Sequence, residues 1–188
     1  IHRSVTSMAS NALKDQQKIF DQLLHKAANT AFGKDHRFQH IKSYDQFKDE
    51  VPIRDYEGIK TYIHRIKDGE QDVLWPGKPL YFAKTSGTTS GVKYIPLTRE
   101  SMPFHFTTAR NAVMNYASQF NDFSYLDGKL IFLSGSPETS MAGEIKAGRL
   151  SGLVNLHIPS LFKKSQLPSF ATNCIEDWDT KVERIIDE

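Results

Sequence analysis

The sequence predicts an α/β fold: a helical N-terminal segment packed on a β-sheet region flanked by helices. Three observations predict it. Through about residue 70, apolar residues recur at spacings of three and four, the signature of amphipathic helices. From residue 71 onward, short apolar runs bounded by glycine and proline alternate with helical patterns, which favours α/β over all-α. The chain has 188 residues, 39% of them hydrophobic, with 12 Phe, 7 Tyr and 2 Trp. At about 100–200 residues per domain, that is one domain, or one and a small part.

The first helix carries Leu13, Ile19, Phe20, Leu23, Leu24, Ala27, Ala28 and Ala31 on one face, with Gly33 as its stop. Ser43 and Gln46 have capping-box spacing for a second, short helix, which Val51-Pro52 breaks. A third helix places Tyr56, Ile59, Ile63 and Ile66 inward and ends at Gly69.

Trp75-Pro76-Gly77-Lys78-Pro79 is turn chemistry. Leu80-Tyr81-Phe82-Ala83 reads as a buried strand, and Val92, Tyr94 and Ile95 as a second strand that Pro96 ends. Thr98 or Ser101 caps the next helix, with Pro103 in its first turn and Phe106, Ala109, Val113, Tyr116 and Ala117 inward. Asp127-Gly128 turns the chain into the clearest strand, residues 129–133, followed by a loop at residues 134–137. Residues 144–159 are ambiguous, because Gly148 and Gly152 weaken a helix. After Pro168 comes a last amphipathic helix with Cys174, Ile175, Trp178, Val182 and Ile185 inward. There is no internal repeat or low-complexity tract.

Composition excludes several functions. Lys and Arg number 24 against 22 Asp and Glu, a net charge of +2. Neither a strongly basic nucleic-acid binder nor an acidic tail fits that balance. The longest aliphatic and aromatic run, Leu130-Ile131-Phe132-Leu133, is far short of the roughly 20 residues a transmembrane helix needs. Nucleic acid and membrane are therefore not expected partners. A single cysteine, Cys174, excludes an internal disulfide and a Cys-rich zinc module, and suits a reducing, cytoplasmic location. The start, Ile1-His2-Arg3-Ser4, has neither an initiator Met nor a signal pattern. The other end, Ile185-Ile186-Asp187-Glu188, stops inside a helical pattern, so a piece of something longer is expected.

The segment that carries chemistry is Lys84-Thr85-Ser86-Gly87-Thr88-Thr89-Ser90-Gly91-Val92-Lys93. Five hydroxyls, two glycines and a lysine follow Lys84 within nine residues. A polyphosphate needs this mixture. Glycines let backbone N–H groups approach an anion, hydroxyls donate to phosphate oxygens, and lysine supplies mobile positive charge. It is not a Walker A loop: Gly87 and Gly91 have three residues between them rather than four, and Tyr94 follows Lys93. The competing reading is a plain surface hairpin loop. The order strand, hydroxyl/glycine loop, lysine, strand favours phosphate.

Ser90-Gly91-Val92-Lys93 also matches the Ser-x-x-Lys motif of serine acyl transfer, but the companion Ser-Asp-Asn and Lys-Thr-Gly sequences are absent. His36 and His40 lie four apart, yet no third ligand accompanies them, so hydrogen-bonded or solvent-facing histidines are favoured and no metal site is expected. Glu138 and Glu144 follow a strand end, without a specific signal.

The run from Thr85 through Tyr94-Ile95-Pro96 resembles the first nucleotide motif of acyl-adenylate-forming enzymes of the firefly-luciferase-like superfamily. It is most similar to the branch of auxin-responsive acyl-amido synthetases. Thr30-Ala31-Phe32-Gly33, Val51-Pro52-Ile53-Arg54-Asp55-Tyr56, Leu150-Ser151-Gly152 with Pro159, and Asp177-Trp178-Asp179-Thr180-Lys181 resemble the same branch, so the similarity covers nearly the whole chain. A bacterial member is expected.

The resemblance implies an incomplete adenylate-forming fold, with residues 1–188 as one N-terminal fragment of the large adenylating domain (1–70 helical, 71–188 α/β). It implies ATP and Mg²⁺, a small carboxylic acid and an amino acid as reactants. Thr85, Ser86, Gly87, Thr88, Thr89, Ser90, Gly91 and Lys93 would bind phosphate. Phe106 and Arg110, on the following helix, would face the acid. The branch's later adenine, ribose and lid segments are absent, so the missing C-terminal part of the same protein is an implied partner, and the fragment alone is expected to be inactive. The loop is also one residue shorter before Lys93 than in many plant members. The alternative is a non-catalytic module that binds a nucleotide or acyl ligand.

Overall fold

The computed structural model describes residues 7, 9–85, 91–124, 127–158 and 163–188. It divides into two compact units: His2–Leu80 with Ala142–Ile145, and Tyr81–Met141 with Lys146–Glu188.

The first unit is helical. Helix α1 (Ala12–Ala27) buries Leu24 and Ala27 against Ala28, Phe38 and Ile41, with Phe20, Phe32, Phe47, Val51 and Trp75 packed around them. The apolar face is narrower than its spacing suggested, since Leu13, Ile19 and Leu23 are exposed. Nor does α1 run on to Gly33. It stops at Ala27, and Thr30 starts a separate helix, α2 (Ala31–Asp35). The Thr30 hydroxyl accepts from Gly33 N at 3.0 Å and donates to Ala27 O at 2.7 Å, so one side chain closes one helix and opens the next. Gly33 therefore lies inside α2, where a Cβ would sit 2.0 Å from the Ala27 carbonyl oxygen.

A 3₁₀ turn (Phe38–His40) leads to α3 (Tyr44–Glu50). The expected cap is present: Ser43 accepts from Gln46 N. The reciprocal bond reaches one residue further back, from Lys42 N to Gln46 Oε1 at 2.7 Å. Phe20 and Phe47 meet edge-to-face at 5.5 Å. Helix α4 (Tyr56–Lys67) is capped by Asp55 and buries Tyr62, Ile63 and Ile66. Gly69, at φ +93°, ends it as the sequence predicts.

The second unit holds the strands, apart from the strand-end residues within Ala142–Ile145. β1 (Tyr81–Lys84) and β2 (Tyr94–Leu97) are antiparallel, with Tyr81 opposite Leu97 and Lys84 opposite Tyr94. Pro96 does not end β2 but pairs with Phe82 inside it. β2 is an edge strand, so the missing N–H takes no bond from a further neighbour. Helix α5 (Met102–Phe120) begins with Pro103 in its first turn, and Asn121 closes it in the left-handed region. Of the expected strand 129–133, only β3 (Leu130–Ile131) is regular.

The ambiguous stretch resolves into both element types. β4 (Ser140–Ala142) turns through Gly143 at φ +64° into β5 (Ile145–Arg149), and helix α6 (Leu150–Leu156) follows directly. β5 runs parallel to β1, giving the order β2-β1-β5-β4. Gly148 sits in the strand and Gly152 in the helix. A Cβ on Gly152 would lie 2.1 Å from the Ser136 carbonyl oxygen, so the small residue permits close backbone packing.

β6 (Gln166–Leu167) pairs with β3 in parallel as a separate ribbon. The last amphipathic stretch is two helices, α7 (Phe170–Cys174) and α8 (Trp178–Asp187), joined through Asp177, which caps the second. Trp178, expected inward, is 61% exposed, while Lys181 is buried. The Lys181 ammonium donates to the Asn173 carbonyl at 2.8 Å, and that bond is what admits it.

Candidate functional site

The phosphate-loop residues Ser86, Gly87, Thr88, Thr89 and Ser90 lie outside the described residues. The two stems that hold the loop are described. Thr85 N donates to Lys93 O at 3.1 Å, carrying the β1–β2 ladder one step beyond Lys84 and Tyr94. Thr85 and Lys93 are thus brought opposite each other at the mouth of the loop. Gly91 has φ +77°, a conformation that suits a glycine.

The mouth sits at a particular edge of the sheet. β1 and β5 are parallel, and Lys84 lies in register with Arg149, so both strands end together. In open α/β sheets, ligands bind beyond the carboxyl ends of the strands. Lys84, Arg149 and Lys93 place cationic residues along that edge. Lys84 Nζ also donates to Ser140 Oγ on β4 at 2.5 Å, which ties the strand end across the sheet. Helix α6 packs on β1.

Behind α6 is a buried polar network. Asn155 Nδ2 donates to Ser134 Oγ at 2.9 Å, and Ser134 Oγ donates to Asn173 Oδ1 at 3.2 Å. Asn173 Nδ2 donates to Pro168 O, and Gly135 N donates to Ser151 Oγ. Side chains from α6 and α7 therefore fix the loop at residues 134–137. Burial holds the Lys181 ammonium below the ordinary lysine range, and burial likewise raises the Cys174 thiol.

Phe106 is half-buried on α5, with its ring 6.3 Å from that of His157. His157 Nε2 and the Tyr81 hydroxyl lie 3.1 Å apart. His157 and Tyr81 escaped the sequence reading, because His157 falls in the ambiguous stretch and no motif marks it. Arg110, one turn beyond Phe106, is exposed and donates to Asn111 Oδ1 at 3.3 Å.

The other candidates resolve simply. His36 is buried with Nδ1 2.6 Å from Glu50 O, and His40 is exposed, so the two share no ligand position. Glu144 pairs with Lys78 at 2.7 Å, and that ammonium holds its carboxyl below the usual range. A polar depression of about 460 Å³ in the helical unit is lined by Asp35, Arg65, Glu70 and Asp72 among others. Its acids are engaged: Asp35 accepts from Tyr62, Glu70 pairs with Arg65, and Asp72 accepts from Gly77 N. Among the described residues, no group of three or more His, Cys, Asp or Glu is placed to hold a metal ion, and no helix is long and apolar enough to cross a membrane.

Known proteins resemble this chain over most of its length. Jasmonoyl--L-amino acid synthetase JAR4 of Nicotiana attenuata is 26% identical over 170 residues, covering 89% of this chain and 28% of its own length. Indole-3-acetic acid-amido synthetase GH3.15 of Arabidopsis thaliana is 33% identical over 97 residues, or 50% of this chain and 16% of its own. The solved structure of GH3.15 acyl acid amido synthetase superposes with a TM-score of 0.76 at 22% identity, over 96% of this chain and 32% of that one. The chain thus spans at most about a third of these proteins. They are plant enzymes, and nothing among them supports the expected bacterial origin. The model of the GH3 family N-terminal domain matches residues 1–183, and with the mixed α/β fold shared with a solved member, the chain belongs to the GH3 family.

Proposed function

We propose that the intact protein activates a carboxylic acid with ATP and transfers the acyl group to an amino acid, and that residues 1–188 are the N-terminal part of its adenylating domain. In the first step a carboxylate oxygen attacks the α-phosphorus, and pyrophosphate leaves with the bonding pair. In the second, the amine nitrogen attacks the acyl carbon, AMP leaves, and the nitrogen loses a proton. Charge develops on phosphate oxygens in the first step, and fixed donors aimed there lower its barrier.

On this reading the hydroxyls of Thr85, Ser86, Thr88, Thr89 and Ser90 donate to phosphate oxygens, and Gly87 and Gly91 open backbone N–H groups to them. Lys93 neutralises charge from the stem. Phe106 lines the acid's position and Arg110 meets its carboxylate. Mg²⁺ would arrive with ATP and would help neutralise the charge that develops on its phosphate oxygens. The adenine and ribose contacts and the lid belong to residues outside this chain, so the chain alone is inactive. A reducing, cytoplasmic location is part of the same proposal, and a single cysteine suits it.

The observation that carries the proposal is the paired stem Thr85–Lys93 at the carboxyl end of two parallel strands, in a chain whose relatives are amido synthetases. Acid-dependent ATP–pyrophosphate exchange by the intact protein is the test. Thr88→Ala and Lys93→Ala should each slow exchange about 10²-fold, the usual cost of one fixed donor. No exchange across a broad acid panel, or wild-type nucleotide affinity in both variants, would overturn it and favour the non-catalytic module.

A further inference from the structure

We propose that His157 is a positioning residue: it fixes where the Phe106 ring stands and thereby sets how large an acid the protein accepts. The proposal rests on the reading of Phe106 and Arg110 as the residues that face the acid.

Three elements of the second unit converge on His157. Strand β2 is antiparallel to β1 and ends at Leu97, opposite Tyr81, so the chain enters α5 from the edge where β1 begins. Helix α6 follows Arg149, which is in register with Lys84 where β1 ends, and α6 packs on β1. At the far end of α6 its C-cap, His157, is back beside Tyr81, the first residue of β1. The topology thus gathers the start of β1, the first turns of α5 and the end of α6 at the edge opposite the loop mouth.

Side chains make the junction. His157 Nε2 and the Tyr81 hydroxyl are 3.1 Å apart, and their rings meet edge-to-face at 5.5 Å. The Phe106 ring meets the imidazole edge-to-face as well, at 6.3 Å. His157 is exposed, and an exposed imidazole free to turn would hold nothing. A hydrogen bond to one ring nitrogen fixes the ring's direction, so Phe106 rests against a fixed partner. The helix around Phe106 needs such a tie: Phe104 is 70% exposed, and Val113, Tyr116 and Phe120 are exposed further along.

Arg110 lies four residues on, about 6 Å along the helix axis. An acid whose carboxylate meets Arg110 then lays its apolar body against Phe106. The room for that body depends on how far the Phe106 ring can retreat. Pinned by His157, the ring stays; released, it turns aside and admits a larger acid.

ATP–pyrophosphate exchange by the intact protein, run with phenyl-terminated carboxylic acids of increasing chain length, tests this. His157→Ala should shift the preference in kcat/KM toward longer acids by roughly tenfold, the low end of what one methylene is worth in a hydrophobic pocket. Its KM for ATP should stay at the wild-type value, a split that a general loss of structure would not give. His157→Phe, which keeps a ring there, should restore part of the preference. Tyr81→Phe, which removes only the hydroxyl, should shift it the same way by less. Phe106→Ala should shift it too, and adding His157→Ala should change nothing further, because one residue acts through the other. Unchanged acid preference in both His157→Ala and Tyr81→Phe, or additive shifts in the double variant, would overturn the proposal and leave the proposed function standing. So would parallel rises in KM for acid and ATP. No exchange by the wild type with any acid would refute the proposed function, and this proposal with it.

Discussion

Gly33→Ala should destabilise the helical unit by roughly 3 kcal/mol, far more than its single methyl group suggests. The new Cβ would lie 2.0 Å from Ala27 O and 2.9 Å from Ala27 C, whereas ordinary contact begins near 3.4 Å. Both obstacles are backbone, so no side chain can swing aside. The carbonyl that must retreat is the one that accepts from Thr30 N at 3.0 Å and from Thr30 Oγ1 at 2.7 Å. Moving it loosens the junction between α1 and α2. Overpacking costs about 1–3 kcal/mol and a lost cap about 1 kcal/mol more. Against a total stability of roughly 5–15 kcal/mol that is a large fraction. At about 2–4 °C per kcal/mol it amounts to a fall of roughly 6–12 °C. Urea unfolding followed by circular dichroism measures it. Gly33→Asn is the control: were Gly33 a left-handed helix stop, Asn would rescue it, but Gly33 lies inside α2 and Asn should be at least as damaging. A Gly33→Ala change within about 0.5 kcal/mol of wild type, the range of an unremarkable surface substitution, would refute the steric reasoning.

Other perturbations probe other parts of the molecule. Phe38→Ala empties the centre of the α1 core and should cost about 3–5 kcal/mol in the same unfolding assay. Asn173→Ala strips Ser134 and Pro168 of buried partners and should cost about 1–3 kcal/mol; a neutral outcome would show that the network is not holding the loop at residues 134–137. Lys181 has its pKa lowered by burial, so its ammonium penalises the fold at pH values below that lowered pKa. The penalty is relieved as pH rises through the lowered value toward the unfolded one. The stability of wild type relative to Lys181→Met should therefore improve as pH rises toward the ordinary lysine value, and a pH-independent difference would contradict the buried-charge account.

What the sequence revealed and what it concealed follow from the range of the forces involved. Ser43 and Gly69 were legible because caps and left-handed stops are local chemistry. The break between α1 and α2 was not, because it depends on how closely Gly33 approaches Ala27, a tertiary distance. The hairpin of β4 and β5 hid behind Gly148, which packs against the Leu153 side chain, and Gly152, which packs against the Ser136 carbonyl, so both answer to packing and not to local conformation. Lys181 shows the same limit: at a helical position that reads as polar, one carbonyl partner is enough to bury it. In the candidate site, the proposed phosphate loop was legible because its hydroxyls, glycines and lysine lie in one short run of sequence. His157 and Tyr81 stand 76 residues apart in sequence, and only the fold unites them.

The stem also bears on the one-residue shortening that the resemblance implies. A residue fewer before the lysine would, in a free loop, leave Lys93 with an arbitrary direction. The bond from Thr85 N to Lys93 O removes that freedom, because Lys93 belongs to the ladder and not to the loop. Its backbone position is then set by the register of β1 against β2, which Phe82 and Pro96 help fix through pairing. Whatever the length of the run between the stems, the lysine stays anchored opposite Thr85. On the proposed phosphate-binding reading, the charge of Lys93 is therefore placed by the ladder, at the carboxyl end of the sheet, and does not depend on the number of residues between the stems.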